Sequence, residues 1–196
     1  MHFPLHAAGL YNKGSSQMIS QYCVSSYTPT LAALKRARSG LSTLNRSGMK
    51  ILLAAVPAGF KMTPLNYAVA ELEVVKHALP LGVTMDLPSS SQLISHSTRY
   101  SASAADILDI LPHVDMIHLA SHGIQDRNDP LKSGFVMRDR LLTIAELMSL
   151  KLPKAFLAVL SACETAQGDV ENPDQVVHLA ATLLFTGFKS IVGTMW

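Results

Sequence analysis

The 196-residue sequence carries 16 Lys and Arg against 14 Asp and Glu, a formal net charge of +2, and it is 48% hydrophobic and only 15% charged. This composition excludes an intrinsically disordered chain, which needs low hydrophobicity and high net charge, and the length fits one domain. A charge so near neutral provides no basic surface for nucleic acid, so we expect no nucleic-acid partner. Two cysteines, Cys23 and Cys163, are too few for the disulfide framework of a small secreted protein.

The apolar segments of the chain are all short. No run of about 18 apolar residues occurs, which is the length that a membrane-spanning helix needs. The first ten residues have no Lys or Arg ahead of their apolar part, unlike a secretory signal peptide. We therefore expect a cytoplasmic protein that has no membrane partner.

Strand and helix patterns alternate along most of the chain. In chain order we predict a helix over residues 30–38, a strand over 49–56, a helix over 65–79, a strand over 83–87, a helix over 103–111, a strand over 114–121, a hairpin over 135–142, a helix over 143–150, a strand over 155–162, a helix over 174–185 and a strand over 189–196. The strands are short apolar runs, and helix 143–150 opens with the Thr-x-x-Glu capping box of Thr143 and Glu146. This alternation predicts an α/β fold with a mostly parallel sheet that helices cover on both faces.

Two of the predicted strands end in residues that could perform catalysis. The strand over 114–121 runs into His122 and Gly123, and the strand over 155–162 runs into Cys163. Because ligands collect at the carboxyl ends of parallel strands, we expect an imidazole and a thiol at neighbouring strand tips. The imidazole can take the thiol proton, and the thiolate can then attack a carbonyl group. The backbone N–H groups of Gly123 and Cys163 are candidates for an oxyanion hole.

Simpler interpretations of these residues stay open. A lone Cys at the end of an apolar strand is often a small core residue, and a lone His is often a hydrogen-bonded structural group. His118 and His122 are four residues apart, which on a strand is roughly 13 Å, so we expect no shared metal ion and interpret His118 as a buried, hydrogen-bonded strand residue. The carboxylates of Asp126 and Glu164, in the loops beside the pair, either orient His122, attract a basic side chain or are simply solvated.

Several motifs resemble those of the CHAT domain, the caspase-like module of cysteine-peptidase relatives that include separase. The matching segments are Ile-His-Leu-Ala-Ser-His-Gly at 117–123, Leu-Ser-Ala-Cys-Glu-Thr-Ala-Gln-Gly at 160–168, His-Leu-Ala-Ala at 178–181 and the closing residues 187–196, with residues 5–9 and 26–31 resembling the segment that leads into the module. The resemblance implies a three-layer caspase-like fold, in which residues 1–48 form the lead-in segment and residues 49–196 the CHAT domain. It also implies that His122 is the general acid and base, that Cys163 is the nucleophile, and that Ser161 lines the first substrate pocket. Strand packing explains a small residue at position 161 equally well.

Two functions of different classes follow from this resemblance. The first is a cysteine endopeptidase that acts on a protein or peptide and needs no cofactor or metal. The second is an interaction or signalling module, with repeat domains as its partners, that keeps the fold without turnover. The endopeptidase is the function that we favour, and the second function is the alternative. The alternative is supported because the family continues past the fifth strand with a loop, a helix and a strand that would follow Trp196. Residues 191–196 of the last predicted strand carry no charge. We then expect this strand to form an exposed sheet edge that pairs with another segment or aggregates, unless the N-terminal segment folds across it.

Overall fold

The computed structural model describes residues 7–12, 17–26, 28, 30–39, 48–58, 62–85, 101–124, 126, 128–161 and 175–193. Within these residues the helices are α1 (Leu31–Arg38), α2 (Ala68–Ala78), α3 (Ala104–Ile110), α4 (Ile144–Ser149) and α5 (Gln175–Thr186). The strands are β1 (Ile51–Ala55), β2 (Thr84–Met85), β3 (Met116–Ala120), β4 (Gly123–Ile124), β5 (Gly134–Val136), β6 (Leu141–Thr143), β7 (Leu157–Leu160) and β8 (Ser190–Gly193). None of the helices in this part of the chain has the length and apolar character to cross a membrane.

Five strands form one sheet in the order β2-β1-β3-β7-β8, and every pairing between neighbours is parallel. The predicted parallel sheet is therefore confirmed, with β3 at its centre and β7 beside it. Each strand begins one or two residues later than predicted, and residues 86, 87, 162 and 194–196 of the predicted strands lie outside the described residues. Because all five strands run the same way, their carboxyl ends meet at one edge of the sheet.

Side chains of the central strands alternate between two separate hydrophobic cores. Leu53 of β1 packs on the α2 side with the fully buried Leu72. Leu52, the next residue along β1, packs on the other side with side chains of α3, α4 and α5, among them Ile107 and Leu183. Burying one such leucine contributes about 1.5–3 kcal/mol. The sheet is thus covered by helices on both faces, as predicted, and the fold is α/β with three layers.

A second, antiparallel sheet of β4, β5 and β6 follows directly after β3. The hairpin predicted over 135–142 is confirmed as β5 and β6, whereas the short strand β4 was not predicted because two residues carry no periodic signal. A Cβ on Gly134 would lie 2.0 Å from the Leu142 carbonyl oxygen, so only glycine allows β5 to approach β6 this closely. The pairing of β4 turns the chain away from the main sheet at residues 121 and 122.

Helix α1 and the residue that precedes β8 meet at the surface. The Lys189 ammonium, beside β8, donates to the Arg36 carbonyl in α1 at 3.2 Å. This contact joins the lead-in segment to the sheet, and the boundary at residue 48 stays a prediction. Among the described strands, β8 is an outer one, and Val192 is 55% exposed. Within this part of the chain β8 lies at the edge of the sheet, as expected, and the pairing or aggregation of that edge stays a prediction.

Helix α4 begins with the capping box that the sequence predicted. The Glu146 carboxylate accepts the Thr143 N–H at 3.0 Å and the Thr143 hydroxyl at 2.8 Å, and the Glu146 N–H donates to that hydroxyl. Partial burial raises the pKa of the Glu146 carboxyl, but the hydrogen bonds from Thr143 and the charge of Arg140 lower it by more. The pKa of Glu146 therefore lies below its ordinary value.

We predict that Glu146→Ala lowers the free energy of unfolding by about 1 kcal/mol at pH 7, the usual size of a lost cap. Because the folded-state pKa is lowered, this stabilisation is complete above the unfolded pKa of about 4.3 and is lost as the pH falls through the folded value. Urea unfolding of both proteins from pH 7 to pH 3 measures it, with Glu73→Ala on α2 as the control. A difference between wild type and variant that grows as the pH falls would contradict the assignment.

Candidate active site

His122 lies two residues beyond the end of the central strand β3 and directly before β4. The residue is only 3% exposed. Its Nε2 atom is 2.8 Å from the backbone carbonyl oxygen of Thr63, in the segment that connects β1 to α2. The predicted catalytic histidine is therefore held at the carboxyl edge of the sheet by a specific backbone contact.

The contact with Thr63 determines which nitrogen of His122 carries the proton. A carbonyl oxygen only accepts hydrogen bonds, so Nε2 must be the donor. In the neutral ring Nδ1 is then the basic nitrogen. When Nδ1 takes up a proton, the carbonyl dipole stabilises the resulting positive charge. This tautomer suits a residue that receives a proton at Nδ1 and later releases it.

The backbone amide of Gly123 points away from the small sheet. Gly123 lies opposite Phe135, and the Val136 N–H donates to the His122 carbonyl at 2.7 Å. In an antiparallel ladder this pattern makes Gly123 and Phe135 a pair without hydrogen bonds between them, so the Gly123 N–H points away from β5. The geometry of Gly123 is therefore compatible with the predicted oxyanion hole, and that role stays a prediction.

The tip of β7 lies beside the tip of β3. The parallel pairing runs from Met116 opposite Leu157 to Leu119 opposite Leu160, and the Ser161 N–H extends it by donating to the Leu119 carbonyl at 3.0 Å. Paired positions are 41 residues apart in sequence, the same separation as between residues 122 and 163. Cys163 and Glu164 lie outside the described residues, so their predicted roles stay predictions.

Ser161 and His118 share one carboxylate on the α2 face of the sheet. His118 Nε2 is 2.8 Å from Glu71 Oε1, and the Ser161 hydroxyl donates to the same oxygen. The His118 side chain is 11% exposed and that of Glu71 is 39% exposed. The interpretation of His118 as a buried, hydrogen-bonded strand residue is confirmed. The Ser161 hydroxyl is engaged in this cluster, and its predicted place in a substrate pocket stays a prediction.

Asp126 organises the loop that follows β4. Its carboxylate accepts the N–H groups of Asn128 and Asp129, each at 2.9 Å. The N–H groups of Asp129 and Asn128, together with the Lys132 ammonium, hold the pKa of the Asp126 carboxyl below its ordinary value although desolvation opposes them. The carboxylate is thus ionised at neutral pH and stabilises a turn. Its predicted role beside His122 stays a prediction.

Two residues of this site, Thr63 and Glu71, are missing from the sequence-based predictions. Thr63 acts through its backbone carbonyl, which any residue type supplies, so no side-chain pattern indicates it. Glu71 is one of several charged residues on an amphipathic helix, where a carboxylate usually faces solvent. The one available signal was His118, because a histidine in an apolar strand needs a hydrogen-bond partner from the layer packed on it.

We predict that nitrogen-15 NMR of the His122 ring shows a protonated Nε2 and an unprotonated Nδ1 at pH 8, because the Thr63 carbonyl requires a donor. The Nε2 proton should exchange slowly with water, since the residue is 3% exposed. The exposed His113 serves as the control and should show fast exchange. Finding the proton of His122 on Nδ1 would contradict the assigned tautomer.

The comparison with protein families agrees with this geometry. The family model described as the CHAT domain matches residues 1–196. No curated protein was found to match the chain. The family is a caspase-like, peptidase-related one, and the parallel sheet with helices on both faces is compatible with a caspase-like fold. The chain therefore belongs to the CHAT-domain family.

Proposed function

We propose that this protein is a cysteine endopeptidase in which Cys163 is the nucleophile and His122 the general acid and base. The observation that carries the proposal is the hydrogen bond between His122 Nε2 and the Thr63 carbonyl at the carboxyl edge of the sheet. Because Nε2 is the donor in that bond, the proposal makes Nδ1 of the buried imidazole the nitrogen that transfers the proton. A buried structural histidine also needs such a partner, so what favours catalysis is the position of His122 at the carboxyl edge of the sheet, where the tip of β7 lies beside the tip of β3.

The pairing of β3 with β7 supports the partnership of the two residues. The observed pairing runs to Leu119 opposite Leu160, and the proposal sets residues 122 and 163, each three positions further along, near one another beyond these neighbouring strand tips. Neighbouring strands are about 4.8 Å apart, a separation that two short side chains can bridge. A nucleophile and its base need roughly 3 Å between heavy atoms at the moment of proton transfer.

The reaction follows from these roles. His122 Nδ1 takes the Cys163 thiol proton, and the thiolate sulfur bonds to the carbonyl carbon of a peptide. The resulting oxyanion accepts hydrogen bonds from the N–H groups of Gly123 and Cys163. As the C–N bond breaks, the protonated His122 gives its proton to the leaving amine, and a thioester remains. Water, deprotonated by His122, then hydrolyses the thioester and restores the thiol.

The substrate is a protein or peptide, and the chemistry requires no cofactor or metal. We assign Ser161, Glu164 and Asp126 to the substrate-binding side of the site, where an ionised Asp126 favours a basic side chain in the substrate. A catalytic thiol must stay reduced, and reducing conditions prevail in the cytoplasm. We therefore place the protein there.

The proposal predicts that iodoacetamide alkylates Cys163 at least about tenfold faster than Cys23 at pH 6.5, because an ordinary thiol with a pKa near 8.5 is almost wholly protonated there. Cys23 is exposed and serves as the internal control. His122→Ala should abolish the difference, whereas His113→Ala, which removes an exposed histidine, should not. Peptide mass spectrometry measures both thiols in one sample.

Turnover is measured separately on a degenerate peptide library, with Cys163→Ala as the blank. Equal alkylation of both cysteines, or cleavage that persists in Cys163→Ala, would overturn the proposal. Fast alkylation of Cys163 with no cleavage of any peptide would instead favour an interaction or signalling module that binds repeat-domain partners.

A further inference from the structure

One carboxylate oxygen joins three elements on the α2 face of the sheet. Glu71 Oε1 in α2 accepts from His118 in β3 and from Ser161 at the end of β7. The residues are partly buried, so these hydrogen bonds to an ionised group are of the stronger kind. We call Glu71, His118 and Ser161 the Glu71 cluster.

The Glu71 cluster is not a second nucleophilic triad. A serine nucleophile would donate its proton to a free histidine nitrogen. Here the Ser161 hydroxyl donates to Glu71, and His118 Nε2, 3.4 Å from the hydroxyl oxygen, directs its own proton to the same carboxylate. His118 Nε2 therefore does not act as a base for the Ser161 hydroxyl, and the cluster connects three elements of the fold.

The same segment of chain carries both Glu71 and the carbonyl that orients His122. Thr63 lies eight residues before Glu71. The Leu65 N–H donates to the carbonyl of Pro57 at 2.8 Å, which ties this segment to the chain just beyond β1. This segment contacts the β3 side of the sheet twice, at His118 through Glu71 and at His122 through Thr63. When the Glu71–His118 contact fixes α2, it restricts where the Thr63 carbonyl can lie relative to His122.

The cluster also restrains the strand that leads to the nucleophile. Ser161 is the residue directly after β7, and Cys163 is two positions further in sequence. Ser161 is bound on the α2 face, the face on which His118 lies. A bond from Glu71 to Ser161 therefore limits rotation and displacement of the β7 tip relative to β3.

We propose that Glu71 is a positioning residue for the His122–Cys163 dyad, holding the Thr63 carbonyl against His122 through α2 and the β7 tip through Ser161. The inference rests on the proposed cysteine-peptidase function. Glu71 itself touches no reacting atom. Its loss should therefore lower the reactivity of Cys163 and not merely the stability of the fold.

The test compares three variants by iodoacetamide alkylation of Cys163 between pH 5 and pH 9. Glu71→Ala removes the acceptor, so alkylation at pH 6.5 should fall about tenfold and its midpoint should move up by about one pH unit, towards that of an ordinary thiol. Glu71→Gln keeps an oxygen that accepts both bonds and should stay within about threefold of wild type. Glu73→Ala, on the same helix but about 200° around it, should match wild type.

A Glu71→Ala protein that alkylates with the wild-type pH profile would overturn the inference, whatever its melting temperature. If Glu71→Ala does not fold, Ser161→Ala removes only the β7 half of the cluster. Its alkylation at pH 6.5 should fall about threefold, and an unchanged rate would equally overturn the inference.

A second readout separates this inference from the proposed function. The slowly exchanging Nε2 proton of His122 should be lost in Glu71→Ala and kept in Glu73→Ala. If wild-type Cys163 shows no His122-dependent reactivity, the proposed function fails, and this NMR signal still shows whether Glu71 holds the Thr63 contact. Retention of the signal in Glu71→Ala would contradict the positioning role.

Discussion

The parallel pairing of β3 with β7 is the constraint on which the site depends. Parallel strands bring their carboxyl ends to one edge, and the register between these two is fixed from Met116 opposite Leu157 onward. Because side chains alternate between faces, a shift of one residue would move every core side chain to the wrong side. The two hydrophobic cores therefore hold the register, and the register determines which residues meet at the edge.

The connection between β1 and α2 supplies the second half of the site. It brings the Thr63 carbonyl to His122 and, one helix turn into α2, the Glu71 carboxylate to His118 and Ser161. Both are polar contacts in a layer otherwise packed by Leu53 and Leu72. Such contacts orient groups more than they stabilise the fold, since an intramolecular hydrogen bond contributes only about 1 kcal/mol net. Their position beside the strand tips is what connects packing to chemistry.

The sheet and its helices could be predicted from the sequence because their signals are local. Short apolar runs indicated the strands. The capping box of Thr143 and Glu146 indicated where α4 begins, and the structure confirms that start. His122 was predicted because it directly follows the apolar strand over 114–121 and precedes Gly123. Thr63 and Glu71 escaped prediction because their partners are 59 and 47 residues away. A backbone carbonyl has no side-chain signature, and no local pattern distinguishes Glu71 from a solvent-facing glutamate.

The distance between His122 Nδ1 and Cys163 Sγ tests the central claim most directly. A crystal structure of the reduced protein measures it without any assumption about the substrate. The account predicts a separation of about 4 Å or less, close to the roughly 3 Å that proton transfer requires. A separation above about 8 Å, or a Cys163 side chain on the opposite edge of the sheet from His122, would contradict it.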